Sequence, residues 1–310
     1  MCVPTPIKKK NKKFTADLRY LNQAVNAISK LLKKNDLLII ESTIPVKTCS
    51  NIIKKIDNED ILIAHSPERA FPGNTINEMI HNDRIIGSNT NKGLNKAINI
   101  YKKFVKSQII KTDLATAEAC KLVENSFRDV NIALSNELNF ILSNNNLNVK
   151  KIFQLANMHP RVNLHSYGIG VGGHCLPVDP YFLPDFYKSI ILKNSRYIND
   201  KTTTRCIKKI KKIILDNNKV RIVLLGLTYK EDCNDIRNAP ALKIFLSLYK
   251  KYENIYACDP LFDMNQNSPY RKKLISLEQI KNNDILIPLV KHKTFDKILF
   301  KRNKRVMSIL

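Results

Sequence analysis

No apolar run in this 310-residue chain approaches the ~18 residues of a membrane-spanning helix, and its first residues, MCVPTPIKKKNKK, lack the apolar core of a signal peptide. Both absences predict a soluble, cytoplasmic protein. No two cysteines form a C-x-x-C pair. The seven thiols (Cys2, Cys49, Cys120, Cys175, Cys206, Cys233 and Cys258) are odd in number and widely spread, which excludes a disulfide frame and a zinc site and leaves no metal centre to expect. Acidic residues are few: 27 against 52 Lys and Arg, a net charge of +25. What is present is globular in kind, since 44% hydrophobic and 25% charged residues exclude a disordered or fibrous chain.

The excess of positive charge invites a nucleic-acid partner, but its make-up argues against one. Forty of the basic residues are Lys and 12 are Arg, and between positions 110 and 190 seven basic residues meet seven acidic ones. The surplus lies on the polar faces of segments such as KLLKKND and CIKKIKKIIL, in a chain crowded with Asn and Ile. No helix-turn-helix, zinc-finger or RNA-binding signature accompanies it.

Apolar spacing predicts an amphipathic helix over 17–34 (Leu18, Leu21, Val25, Ile28, Leu32) and strands at 37–40, 61–64 and 84–87. A helix at 91–106 and a strand near 109 follow. One long helix covers 115–142, with others at 148–157 and 193–215. Alternation then resumes: strand 220–225, helix 240–250 behind Pro240, strand 255–258, helix 277–281, strand 285–290. The tract KKKNKK (8–13) reads as a solvated loop. Strands alternating with helices on both sides of a helical stretch indicate an α/β protein with parallel sheets.

Four glycines in six positions, Gly168, Gly170, Gly172 and Gly173, exclude a helix or strand interior and suit tight turns that approach a ligand. His174 and Cys175 follow, then Asp179. A cysteine there is either a covalent nucleophile, if a neighbouring cation lowers its pKa, or a structural thiol in a turn. On the long helix Glu118, Lys121, Asn125 and Arg128 share a face, while Leu122, Val123, Phe127, Val130 and Leu134 take other faces expected to pack. That stripe is either solvated or turned into a cleft, where Lys121 would stabilise an oxyanion and Asn125 would position it. Thr43 and Glu68 lie in loops after strands, where parallel sheets build ligand crevices, and ordinary turn chemistry is the competing reading. Lys230 and Arg237 stand between a strand and a helix, a place that suits a phosphate or merely a charged surface loop.

VPTP (3–6), ESTIPV (41–46), SPERAFPG (66–73), AEACKLVENSFRDVNIALSNE (117–137), GVGGHCLPVDP (170–180) and LLGLTYKEDCNDIRNAP (224–240) together resemble, in order, the UDP-glucose/GDP-mannose dehydrogenase family, from residue 2 to about 297. NSFRDVNIA and ANMHPRVN (156–163) look like the subgroup that oxidises UDP-N-acetyl-D-mannosamine, with UDP-N-acetylglucosamine or UDP-glucose as alternative substrates. The resemblance implies an α/β fold: an incomplete Rossmann-like NAD domain (1–112), a central helical dimerisation segment (113–215) and a Rossmann-like UDP-sugar domain (216–310). It implies an NAD-dependent four-electron oxidation of a sugar C6 alcohol to a carboxylate, for surface polysaccharide precursors.

Carried over by residue, Cys175 would trap the aldehyde, Lys121 would stabilise the alkoxide, and Asn125 and Asp179 would hold water or move protons. Glu68 would serve thioester hydrolysis, and Thr43 water and nicotinamide. Arg69, Ala70, Phe71, Arg128, His159, Arg161, Asn163, Tyr167, Gly168, Gly172, Tyr229 and Lys230 would bind the UDP-sugar, Arg161 from a neighbouring subunit of a homodimer or larger homo-oligomer. Thr5, Thr43, His174 and Arg237 would face NAD. The family opens on a strand that leads into a G-x-G-x-x-G turn, and this sequence does not open in that way, so the expectation is an N-terminally shortened member lacking roughly 70 residues, about two strand–helix units. A shortened remnant without turnover is the competing expectation.

Overall fold

The computed structural model describes residues 1–56, 58, 60–70, 73–262, 268–296 and 305–310. It forms two compact units, Met1–Phe127 with Val178–Ser189, and Arg128–Pro177 with Ile190–Leu310.

The first unit begins with a hairpin where a loop was expected. Strands β1 (Ile7–Lys10) and β2 (Lys13–Ala16) pair antiparallel around Asn11 and Lys12, both at positive φ (49° and 63°). Those angles make the two-residue turn whose twist matches paired strands, and Asn tolerates them. Phe14 of β2 packs on Tyr181, centroids 5.1 Å apart, which anchors the lysine tract to a 3-10 turn at Asp179–Phe182. Helix α1 (Arg19–Ser29) buries Leu21 and Val25, part of the expected apolar stripe.

Next come β3 (Leu37–Ile40), α2 (Thr48–Ile56), β4 (Leu62–His65), α3 (Thr75–His81), β5 (Arg84–Ser88), α4 (Asn91–Tyr101) and β6 (Ile109–Thr112). The sheet order is β3-β4-β5-β6; β3 and β4 run parallel, β5 and β6 run parallel, and the two pairs meet antiparallel. The connection into β5 carries only the seven-residue α3, which buries no side chain and forms no crossover layer. Helices α2 and α3 are additions to the predicted pattern; α2 is short, and only Thr48, Cys49 and Ile52 of it are buried.

Helix α5 (Leu114–Asn144) is the long helix and contributes to both units. In the first, Leu122 is fully buried against Val178 and Phe182. Val123, Phe127 and Leu134, expected to pack, are instead 55, 62 and 48% exposed.

The second unit continues with α6 (Val149–Ala156), α7 (Ile190–Asp216), β7 (Ile222–Leu225), α8 (Pro240–Leu248), β8 (Ile255–Cys258) and β9 (Ile285–Pro288). Its sheet, β8-β7-β9, is wholly parallel. Every residue of β7 is buried, and Ile210 and Ile214 of α7 with Ile244, Phe245 and Leu248 of α8 share its core. Continuous apolar strands of this kind are those covered on both faces. The expected helix at 277–281 is a single 3-10 turn, Leu277–Gln279, closed by a reciprocal cap between Ser276 and Gln279.

Candidate active site

In the first unit α5 and the 3-10 turn after Val178 bring Asn125 and Asp179 together. Asn125 Nδ2 donates to Asp179 Oδ2 at 2.6 Å, and both side chains are buried. Burial pushes the Asp179 carboxyl up to about 6, against the charge of Lys121 and the Asn125 hydrogen bond. Lys121 also bears on buried His65, which burial drives down to about 4, so the imidazole is neutral near pH 7. Lys121, Asn125 and Asp179 thus form one electrostatic group, of which the helical spacing had placed Lys121 and Asn125 on one face. Glu118 does not join it: its carboxylate accepts the Lys47 and Cys49 amides and so occupies the N-terminus of α2. Arg128 is exposed.

At the C-terminal ends of β3 and β4, Thr5 Oγ1 donates to the Thr43 carbonyl at 2.7 Å, and Ser42 Oγ is bonded to both the amide and the carbonyl of Val3. Beside them stands a cluster that sequence reasoning did not find. Arg84, the first residue of β5, is buried and donates to Glu68 Oε2 (2.9 Å), Glu41 Oε1 (2.6 Å) and Ser66 Oγ (2.9 Å). Its guanidinium lies 4.5 Å from the Tyr101 ring centre, and the Tyr101 hydroxyl donates to Glu41 at 2.6 Å. Despite burial, the Tyr101 and Cys2 hydrogen bonds and the Arg84 charge hold Glu41 below its ordinary range. Glu68 Oε1 also accepts the Ala70 amide at 2.7 Å. Arg69 turns away, to Glu124 and the Asp83 carbonyl. Phe71 lies outside the described residues.

In the second unit the glycine loop is clamped to the loop after β7. Gly168 N donates to Asn136 Oδ1, Thr203 Oγ1 donates to the Ile169 carbonyl, Gly173 N donates to the Arg237 carbonyl and Asn238 Nδ2 donates to the Gly173 carbonyl. A Cβ at Gly172 would fall 2.7 Å from Pro240 Cδ and 2.8 Å from Tyr229 Cβ, and Gly173, at φ +87°, lies against the Tyr229 ring. These two glycines therefore allow close packing of their loop against the loop that follows β7. Tyr167 packs edge-on to Phe153 at 5.2 Å.

Cys175 is half-buried beside this junction. Arg237 is held ionised first by its bonds to Asp235 and further by the nearby Cys175 sulfur. Burial pushes Tyr229 up to about 12, helped by Cys233, Asp235 and Cys175. His174 Nδ1 approaches Asp235 at 3.9 Å. Arg237 is thus a cation near the thiol. His159, Arg161 and Asn163 project outward from a turn closed by Asn157, whose side chain bonds both the amide and the carbonyl of Leu164. Among the described residues no three His, Cys, Asp or Glu side chains converge as metal ligands.

Loops at the carboxyl ends of parallel strands are where proteins of the α/β nucleotide-binding class hold their ligands. Residues 1–105, 115–201 and 223–309 match the NAD binding, central and UDP binding domains of UDP-glucose/GDP-mannose dehydrogenases. The chain belongs to that family, and it is an oxidoreductase whose cofactor is NAD. It is 40% identical to the UDP-N-acetyl-D-mannosamine dehydrogenase of Campylobacter jejuni, over 96% of this chain and 78% of that protein. The enzyme of the same name from Methanocaldococcus jannaschii is 39% identical, over 96% and 70%. The structure of UDP-D-ManNAc dehydrogenase from Pyrococcus horikoshii superimposes with a TM-score of 0.84 at 33% identity, over 98% of this chain and 74% of that one.

A dinucleotide diphosphate needs a glycine turn and free amides at a helix N-terminus. The turn from β3 into α2, Glu41 to Lys47, has no glycine, and the amides of Lys47 and Cys49 already bind the Glu118 carboxylate. The described residues offer hydroxyls at Thr5 and Thr43 but no diphosphate cradle.

Proposed function

We propose that the chain oxidises the C6 alcohol of UDP-N-acetyl-D-mannosamine to the carboxylate, with NAD+ as electron acceptor, supplying a precursor for surface polysaccharide. Its relatives named for that substrate support the choice of sugar. The observation that carries the chemistry is Cys175, held on a loop locked to Tyr229, Asn238 and Arg237. Two NAD+ bound in turn would supply the hydride acceptors for the two oxidations, alcohol to aldehyde and adduct to thioester; between them the Cys175 thiolate adds to the C6 aldehyde to give a thiohemiacetal. Oxidation of that adduct gives a thioester, and water releases the acid and returns the thiol.

Lys121 stabilises the alkoxide that develops at C6. Asp179, with a carboxyl tuned near 6 and aligned by Asn125, takes up the alcohol proton. Glu68, paired with Arg84, activates the hydrolytic water with Thr43. Tyr229, Lys230, Tyr167, Gly168, Gly172, Arg69, Ala70, Phe71 and Arg128 serve the UDP-sugar; Thr5, Thr43, His174 and Arg237 serve the cofactor. His159, Arg161 and Asn163, projecting from a braced turn, reach the sugar of a second copy in a homodimer built on α5, whose exposed Val123, Phe127 and Leu134 suit such a partner. The setting is the cytoplasm, where UDP-sugars and NAD are held.

NADH formation with UDP-N-acetylmannosamine, UDP-N-acetylglucosamine and UDP-glucose tests this reading, with the first expected to be preferred. Cys175→Ser should abolish turnover, and full turnover in that variant would end the covalent mechanism. The carboxylate-capped α2 favours a second reading, a protein that binds UDP-sugar without oxidising it. Binding of UDP without any NADH would select it.

A further inference from the structure

Behind Tyr229 and Lys230 lies a buried polar group with no part in the chemistry above. Asp259 directly follows β8, His292 lies four residues beyond β9, and both reach the loop that leaves the central strand β7. Asp259 Oδ2 accepts the amides of Leu227 (2.5 Å) and Thr228 (3.1 Å), and its Oδ1 accepts the amide of Leu261 (2.8 Å). His292 Nδ1 accepts the amide of Asp232 at 3.0 Å. That bond leaves the ring proton on Nε2, which faces Asp259 Oδ2 at 3.2 Å and Thr228 Oγ1 at 3.1 Å. Thr228 Oγ1 in turn donates to the Lys230 carbonyl at 2.9 Å. The side chains of His292 and Asp259 are 1% and 0% exposed.

Residues 227, 228, 230 and 232 are therefore fastened along their backbone, while the intervening Tyr229 and Lys230 side chains are only half-buried. A carboxylate and an imidazole buried this deeply carry a heavy desolvation cost that an apolar pair of similar volume would avoid. The three strand ends at which they meet are where a parallel sheet places its ligand.

We infer that Asp259 and His292 are positioning residues for the nucleotide sugar. They hold the 227–232 loop so that Lys230 meets the diphosphate and Tyr229 supports both the ligand and the Gly172–Gly173 backbone. This rests on the reading above in which that loop binds the UDP-sugar. Neither residue touches substrate; each acts through the loop.

Calorimetric titration with UDP, which requires no turnover, tests it on the full chain. His292→Phe, which removes the contacts of both ring nitrogens, should weaken UDP binding at least tenfold, about 1.4 kcal/mol. His292→Gln, which keeps a donor and an acceptor, should recover most of the affinity. Thr228→Val loses the clip to the Lys230 carbonyl and the contact with His292 Nε2 but leaves Asp259 and its bonds to the Leu227 and Thr228 amides in place; it should weaken UDP several-fold with little change in unfolding temperature, so the test stands even if the Phe variant does not fold. Unchanged UDP affinity in folded Phe and Val variants would overturn the inference, whatever happens to their melting temperatures. A wild-type chain that does not bind UDP would remove the underlying reading instead, and the inference with it.

Discussion

A carboxyl buried as deeply as that of Asp179 keeps its proton until about pH 6, against an ordinary value of 3.8. The folded state therefore binds a proton that the unfolded chain has already released. The resulting stabilisation is complete below the unfolded value and is lost as pH rises through the folded one, in all about 3 kcal/mol. Thermal unfolding followed from about pH 4 to 7 should show that decline, and Asp179→Asn should flatten it. If Asp179 is the base, kcat should rise through about pH 6 in the wild type, and the Asn variant should lose 10²- to 10⁴-fold in rate. Arg84 works in the opposite sense, as a cation whose removal strands two carboxylates. Arg84→Met should cost about 3–5 kcal/mol in urea unfolding, and Glu68→Gln distinctly less. An Arg84 variant within 1 kcal/mol of wild type would mean that water reaches the cluster.

Elements with a strong repeat were legible in the sequence, and those held by tertiary partners were not. The strands at β3, β4, β7, β8 and β9 and helices α5 and α7 carry long or continuous apolar signals. Helix α2 is nine residues long and is capped by Glu118, 69 residues from Cys49, so no local motif announces it. Glu118→Ala should cost about 1–2 kcal/mol by uncapping α2, measured by denaturant unfolding. The junction after β7 is as exacting. Gly226 has φ +85°, and a Cβ there would lie 2.5 Å from the Val290 carbonyl oxygen. Gly226→Ala should cost about 1–3 kcal/mol in the same assay, and UDP should restore less stability to it than to the wild type.

For the whole molecule, the apolar face of α5 makes the sharpest demand. Val123, Phe127, Leu134 and Ile141 are all exposed, a patch that soluble monomers rarely leave bare. Sedimentation should find a dimer, and Phe127→Asp with Leu134→Asp should yield monomers whose secondary structure is retained. A wild-type monomer at micromolar concentration would refute the assignment of this face to a second copy.

Local pattern determined the α/β class, the order of most elements, the long helix and the Cys175 loop, because apolar period and glycine clustering report burial and turns within a few residues. The tertiary structure alone decided the rest. It made a hairpin of the lysine tract and a cap of Glu118, and it turned Val123 and Phe127 outward. It also assembled Arg84 with carboxylates 43 and 16 residues away and His292 with Asp259 across 33. Such partners meet through strand order and register, and no spacing along the chain encodes which distant charge will be buried beside which.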